Sequence, residues 1–280
     1  MSTLKNQNFY NKIVTLAKFS IFQVKGEQRM TLIFCSDYEE MSRKAASIIA
    51  AQIMLKPDST IGFATGATPI GLYENLVKKF TNNEISFSAV KAFNLDEYVG
   101  GNIDNEWSFA SFMQKHLFSR VDILPENADI PDGTKKDLNV ECMRYDAALE
   151  QISGGLDFQI LGIGANGHIG FNEPGDSFPM NTHVVDLAQS SIDGQKPFFS
   201  DWSKIPTQGV TMGIKSIMFS KQILLVVSGK GKSSILEKSL FGPVTPKVPA
   251  SILQLHKSVT VIADSEAFAD IISKHPDYVG

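Results

Sequence analysis

Residues 156–174 read LDFQILGIGANGHIGFNEP. The segment opens with a short apolar run, 156–161, which predicts a buried strand. Gly162, Gly164, Gly167 and Gly170 then fall within nine residues. Glycines at that density let a chain leave a strand sharply and bring its backbone close to a ligand. Asn166, His168, Asn172 and Glu173 lie inside the loop, and Pro174 stops any continuation as a central strand. Open α/β sheets place their chemistry on such loops, outside the carboxyl ends of the strands. His168 with Glu173 nearby suggests an imidazole held in one tautomer by a carboxylate and able to move a proton near neutral pH.

Outward from this stretch the chain repeats strand then helix. Residues 31–35 (TLIFC) read as a strand, and Ser36 with Glu39 forms a capping-box pattern that opens a helix to about Leu55. Residues 59–64 are the next strand, followed by Thr65-Gly66-Ala67-Thr68-Pro69 and a helix to about Phe80. A third strand, 89–93, ends at Asn94-Leu95-Asp96-Glu97. Helices fit 107–118 and 138–152. After the glycine-rich loop come a strand at 222–228, the loop Gly229–Lys232 with a helix to about Leu240, a strand at 258–263 and a helix at 265–272. This alternation predicts an α/β fold: one Rossmann-like domain over 30–280, with a mostly parallel open sheet and helices on both faces. No Pro/Gly/Ser-rich linker divides it.

Bulk properties narrow the function. A net charge of −4 argues against a surface built to hold nucleic acid, though it leaves room for a local basic pocket. The two cysteines, Cys35 and Cys142, form no spaced motif and read as reduced thiols of a cytoplasmic protein. No apolar run approaches the ~20 residues of a membrane span. Residues 13–24 are semi-apolar but broken by Lys18, and no small-residue cleavage site follows, which argues against a signal peptide. Residues 1–29 are either an extension packed on the domain or the product of a start codon placed too early.

Four stretches carry candidate chemistry. Thr65, Gly66, Ala67 and Thr68 follow a strand and precede a helix, where free N–H groups attract anions; an ordinary tight turn would look the same. Lys232 sits on a second strand-to-helix loop and supplies a point charge, with Lys230 close enough to be confused with it. Asp96 and Glu97 alternate in direction, so one can face the crevice as a base while the other supports it. Residues 189–206 are polar, with Pro197, Phe198, Phe199 and Trp202, and suggest a cover over the site or a plain surface excursion.

Four segments in order, GFATGATP, AFNLDEYVG, GIGANGHIGFNEPG and PASILQLH, resemble the glucosamine-6-phosphate deaminase (isomerase) family, which shares a fold with the 6-phosphogluconolactonases. The resemblance covers roughly Thr31 to Ala263. It implies conversion of an amino-sugar 6-phosphate to a ketose 6-phosphate and ammonia, with no metal and no cofactor. It implies that Asp96 moves the C2 proton to C1 through an enolamine, and that His168, oriented by Glu173, assists ring opening. It places Asn166 beside them, Thr65, Gly66, Ala67, Thr68 and Lys232 on the phosphate, and Gly164 and Glu97 in the substrate site. It also makes 189–206 a lid. Asn166 stands where some members carry Asp, so Glu173 alone supplies a carboxylate to His168. Pro197 stands where a lid arginine binds phosphate, which leaves the galactosamine epimer open as substrate. His183 and Val185 replace basic residues of the allosteric members, so activation by N-acetylglucosamine 6-phosphate is not expected. A 6-phosphogluconolactonase is the main rival, although Tyr98 follows the acidic pair where lactonases typically carry Arg. A non-enzymatic sugar-phosphate sensor ranks third, because 1–29 is too short and too weakly basic for a DNA-binding module. The oligomeric state stays open, a homo-oligomer included.

Overall fold

The computed structural model of the chain describes residues 22–23, 29–196, 199 and 201–278. The elements run β1 (Phe22–Gln23), β2 (Arg29–Cys35), α1 (Tyr38–Leu55), β3 (Thr60–Phe63), α2 (Ile70–Thr81), β4 (Lys91–Asn94), β5 (Asp96–Tyr98) and α3 (Phe109–His116). They continue with β6 (Ala128–Asp129), α4 (Leu138–Glu150), β7 (Phe158–Leu161), β8 (His183–Asp186), α5 (Gln189–Gln195) and β9 (Gln208–Thr211). The last are α6 (Ile214–Met218), β10 (Ile223–Val227), α7 (Ser233–Phe241), β11 (Ser258–Asp264) and α8 (Ala269–Lys274).

The main sheet has the order β1-β2-β11-β10-β7-β3-β4-β6. Every neighbouring pair from β2 to β6 is parallel; only β1, at the edge, runs antiparallel, pairing Phe22 with Leu32 and Gln23 with Thr31. What was expected of the rest of 1–28 lies outside the described residues. All residues of β3, β7 and β10 are buried. Successive strand residues point to opposite faces, so both faces of the sheet are covered. That is why these strands read as largely apolar runs, with Gln159 of β7 and Thr60 of β3 as buried polar exceptions.

The winding decides where a site can form. From β3 the chain steps outward to β4 and β6; it then returns to the other flank of β3 as β7 and steps the opposite way through β10 to β11. The direction reverses between β3 and β7. At such a switch point the loops leaving the two strands diverge and open a crevice at the carboxyl edge of the sheet. The loops after β3, β7 and β10 therefore lie side by side.

Two sequence expectations shift. The cap of α1 is Asp37, whose Oδ1 accepts from Glu40 N at 2.8 Å, while Ser36 N donates to Glu40 Oε2 at 2.7 Å. The pair is Asp37 with Glu40, one residue on from the Ser36–Glu39 spacing. A carboxylate outcompetes a hydroxyl as acceptor at the positive end of a helix. The second concerns Asp96 and Glu97, which do not end a strand of the main sheet. They start β5, part of a separate antiparallel sheet of order β5-β9-β8 that was not expected. Leu95 makes the break; its N–H still bonds Phe63 O in the main sheet at 3.1 Å, while its carbonyl accepts from Met212 N at 2.7 Å. One residue thus hands the chain from one sheet to the other.

Candidate active site

The crevice gathers side chains from four elements. On β5, alternation sends Asp96 and Glu97 to opposite faces. Asp96 is 5% exposed and no described residue donates a hydrogen bond to its carboxylate. A Cβ on Gly170 would lie 3.5 Å from Asp96 Oδ2, so this carboxylate faces the glycine-rich loop across a gap that a side chain would fill. Burial, and then the charge of neighbouring Glu97, push the Asp96 carboxyl well above the usual aspartate range. Thr211, its partner across β9, braces the same loop by accepting from Phe171 N at 3.0 Å.

Glu97 turns the other way. Its Oε1 accepts from Tyr98 N at 2.8 Å and Phe109 N at 2.9 Å, and its Oε2 accepts from Ala110 N at 2.8 Å. It therefore caps the first turn of α3 and lines a cavity of about 460 Å³ with Gly101, Gln114 and Asp132, on the side away from Asp96. Burial raises its pKa although the three N–H donors pull the other way. The resemblance puts Glu97 in the substrate site; the contacts here are those of a helix cap behind Asp96. Glu97→Ala would orphan three main-chain donors, so it should cost about 2–4 kcal/mol of stability in urea titration with little change in KM. A selective rise in KM at unchanged stability would instead put Glu97 on the substrate.

On the loop after β7, His168 Nδ1 lies 3.3 Å from Glu173 Oε2. Asn166 braces both: its Nδ2 donates to Glu173 Oε2 at 2.7 Å and its Oδ1 accepts from His168 N at 3.2 Å. Burial opposes the charge on Glu173, but His168, Ser191 and Asn166 outweigh it and bring the carboxyl down to about 2. Glu173 is thus ionised near neutral pH. Asn166 contributes a donor to that charge, which an ionised Asp could not do. Gly164 is the tightest point of the loop. A Cβ there would sit 2.3 Å from the Cε1 and Nε2 atoms of His168, so the imidazole packs flat over bare backbone. Asn172 has a structural part: its Nδ2 donates to Ile169 O and Met212 O, both at 2.9 Å, and ties the loop to the residue that follows β9.

The loop after β3 leaves Gly66 and Ala67 exposed and Thr65 and Thr68 half-buried. No described residue engages either threonine hydroxyl. Tyr38, from α1, fastens the loop: its hydroxyl accepts from Gly71 N at 2.8 Å and faces Thr68 O at 3.2 Å. After β10, Lys230 is exposed while Lys232 turns inward and donates from Nζ to Ile163 O at 2.8 Å. Burial lowers its pKa. The structure thereby separates the two lysines that the sequence left confusable. Across the top lies α5, whose Ser191 touches both His168 and Glu173. Neither Ser191 nor Thr211 was legible as a site residue, since no motif marks them. Pro197 and Phe198 lie outside the described residues.

Buried Asp96, the His168–Glu173 pair, the 65–68 loop and the inward Lys232 thus gather at one switch point of the sheet. The family model described as glucosamine-6-phosphate isomerases/6-phosphogluconolactonase matches residues 36–262, and the chain belongs to that family. It is 51% identical over 233 residues to a glucosamine-6-phosphate deaminase of Lachnoclostridium phytofermentans, covering 83% of this chain and 98% of that one. A glucosamine-6-phosphate deaminase of Clostridioides difficile is 48% identical over 245 residues, covering 88% and 98%. Among solved structures, a monomeric glucosamine-6-phosphate deaminase superposes with a TM-score of 0.83 at 42% identity, covering 85% of this chain and 99% of that one. A 6-phosphogluconolactonase from Thermotoga maritima superposes with a TM-score of 0.67 at 21% identity, covering 84% and 99%, and so shares the fold.

Proposed function

We propose that this protein is an amino-sugar-6-phosphate deaminase that converts glucosamine 6-phosphate and water to fructose 6-phosphate and ammonia. The observation that carries the reading is Asp96: a buried carboxylate with no donor among the described residues, facing the loop that holds His168 and Glu173. The phosphate docks on the 65–68 loop and on Lys232. His168 Nε2 takes the proton from the anomeric hydroxyl and returns one to the ring oxygen, opening the sugar to its aldehyde. Asp96 then removes the C2 proton and delivers it to C1. The resulting 2-imine adds water and expels ammonia, leaving the ketone. The fixed phosphate holds C1 and C2 against Asp96 through the transfer. The reading places the protein in amino sugar catabolism, and the two buried, unpaired cysteines accord with a reducing cytoplasm. No helix among the described residues is long and apolar enough to cross a membrane.

The test is ammonia release from glucosamine 6-phosphate and, separately, from galactosamine 6-phosphate. The glucosamine epimer should be the better substrate. Release from the galactosamine epimer alone would keep the chemistry and move the substrate. Rate against substrate should be hyperbolic and unaffected by N-acetylglucosamine 6-phosphate, since β8 carries His183 and Val185. Lys232→Ala removes a charged phosphate donor and should raise KM about 10–100-fold with a smaller change in kcat. An unchanged KM would take Lys232 off the phosphate.

A further inference from the structure

We propose that Ser191, on α5, is a positioning residue that fixes the tautomer of the ring-opening histidine. The proposal rests on the deaminase reading for its kinetic consequences and on geometry alone for its structural one. Ser191 is 9% exposed. Its Oγ donates to Glu173 Oε1 at 2.5 Å and lies 3.2 Å from His168 Nδ1. An ionised carboxylate can only accept, so the single hydroxyl proton is committed to Glu173. The oxygen then offers His168 a lone pair. The other neighbour of Nδ1 is Glu173 Oε2, at 3.3 Å, also an acceptor. Both groups beside Nδ1 therefore call for a proton there, which leaves Nε2 bare. Nε2 bonds to no described residue, and its bare lone pair is the one that can take a proton from the sugar.

Glu173 could not do this as well by itself. Its contact with Nδ1 is long for a hydrogen bond, and Oε2 is already occupied by Asn166 Nδ2 at 2.7 Å. Ser191 supplies a comparable second acceptor from a different part of the chain. Two neighbours on the same helix turn keep α5 seated independently of it. Ala188 N donates to Glu173 Oε1 at 3.3 Å, and Ser190 Oγ accepts from Asn166 Nδ2 at 3.3 Å. A change at Ser191 can thus disturb the histidine without releasing the helix.

The experiment compares wild type, Ser191→Ala and Ser191→Thr in three readouts. In the resting protein labelled with ¹⁵N-histidine, His168 should show a protonated Nδ1 and a bare Nε2; Ser191→Ala should shift it toward a tautomer mixture, and Ser191→Thr should restore it. In turnover, Ser191→Ala should lower kcat about ten-fold with KM within about two-fold, and Ser191→Thr should recover most of the loss. Trp107 and Trp202, the only tryptophans, flank the same region, with Phe199 6.1 Å from the Trp107 ring and Lys196 5.0 Å over Trp202. Their fluorescence should be unchanged by Ser191→Ala, which shows α5 still seated. A His168 spectrum unchanged in Ser191→Ala, or Ser191→Thr as impaired as Ser191→Ala, would overturn the proposal. Absence of ammonia release by wild type would overturn the deaminase reading instead, and the spectroscopic arm would still decide the tautomer.

Discussion

Asp96→Asn is expected to lower turnover of glucosamine 6-phosphate by about a thousand-fold while making the protein more stable, not less. General-base removal typically costs about 10²–10⁴ in rate. The gain in stability follows from the sign of the pKa shift. Burial and the charge of Glu97 raise the folded-state pKa of Asp96 above its unfolded value near 4. A carboxyl raised in this way favours folding only when protonated. Above the unfolded pKa its ionisation works against the fold, and the penalty grows until the folded pKa is passed. Asparagine has the same shape and no charge, and no described residue donates to Asp96, so the substitution removes the penalty and orphans no partner. A higher urea midpoint at neutral pH together with lost ammonia release is the paired result; loss of both would mean that Asp96 holds the fold. In wild type the same shift places the ascending limb of kcat/KM against pH above the ordinary aspartate range.

The second large effect is at Gly164. A methyl group there would meet the His168 ring at 2.3 Å, far inside contact distance. The backbone on the glycine side is anchored by Gly164 N donating to His168 O at 2.9 Å, so relief requires the ring to leave its contacts with Glu173 and Ser191. Gly164→Ala should therefore displace the imidazole by an ångström or more and lower kcat about 100-fold, since misplacement on that scale costs about 10². Phosphate affinity should change much less, because the 65–68 loop is separate from the displaced ring and Lys232 meets this loop at the Ile163 carbonyl rather than at His168. A variant with wild-type kcat would show that His168 does not take part in the slow steps, and a variant that loses phosphate affinity would show that the loops move as one.

How much of this could be read from the sequence follows from the range of the interactions involved. The strands β3, β7 and β10 are legible because both faces are buried and their residues are correspondingly apolar. The loops after them are legible because glycine, proline and threonine carry local backbone information. Their adjacency is not, since β7 inserts between β3 and β10 only through the reversal in winding. The second sheet was missed for a related reason. β5 has three residues, and β8 and β9 have four each, too short for an alternating pattern to register, and their pairing is set by contacts distant in sequence. Glu97 reads as part of an acidic pair; only the fold shows that the N-terminus of α3 meets it from twelve residues away. Ser191 is invisible for the same reason, being an ordinary polar residue until α5 lies across His168, 23 positions earlier.

The most direct test of the central claim is to incubate the purified protein with glucosamine 6-phosphate and quantify ammonia and ketose 6-phosphate together, with a parallel incubation on 6-phosphogluconolactone. The account predicts ammonia and fructose 6-phosphate in equal amounts, and no hydrolysis of the lactone above background. Lactone hydrolysis without ammonia release would contradict it, and would remove Asp96 from its place as the base at C2.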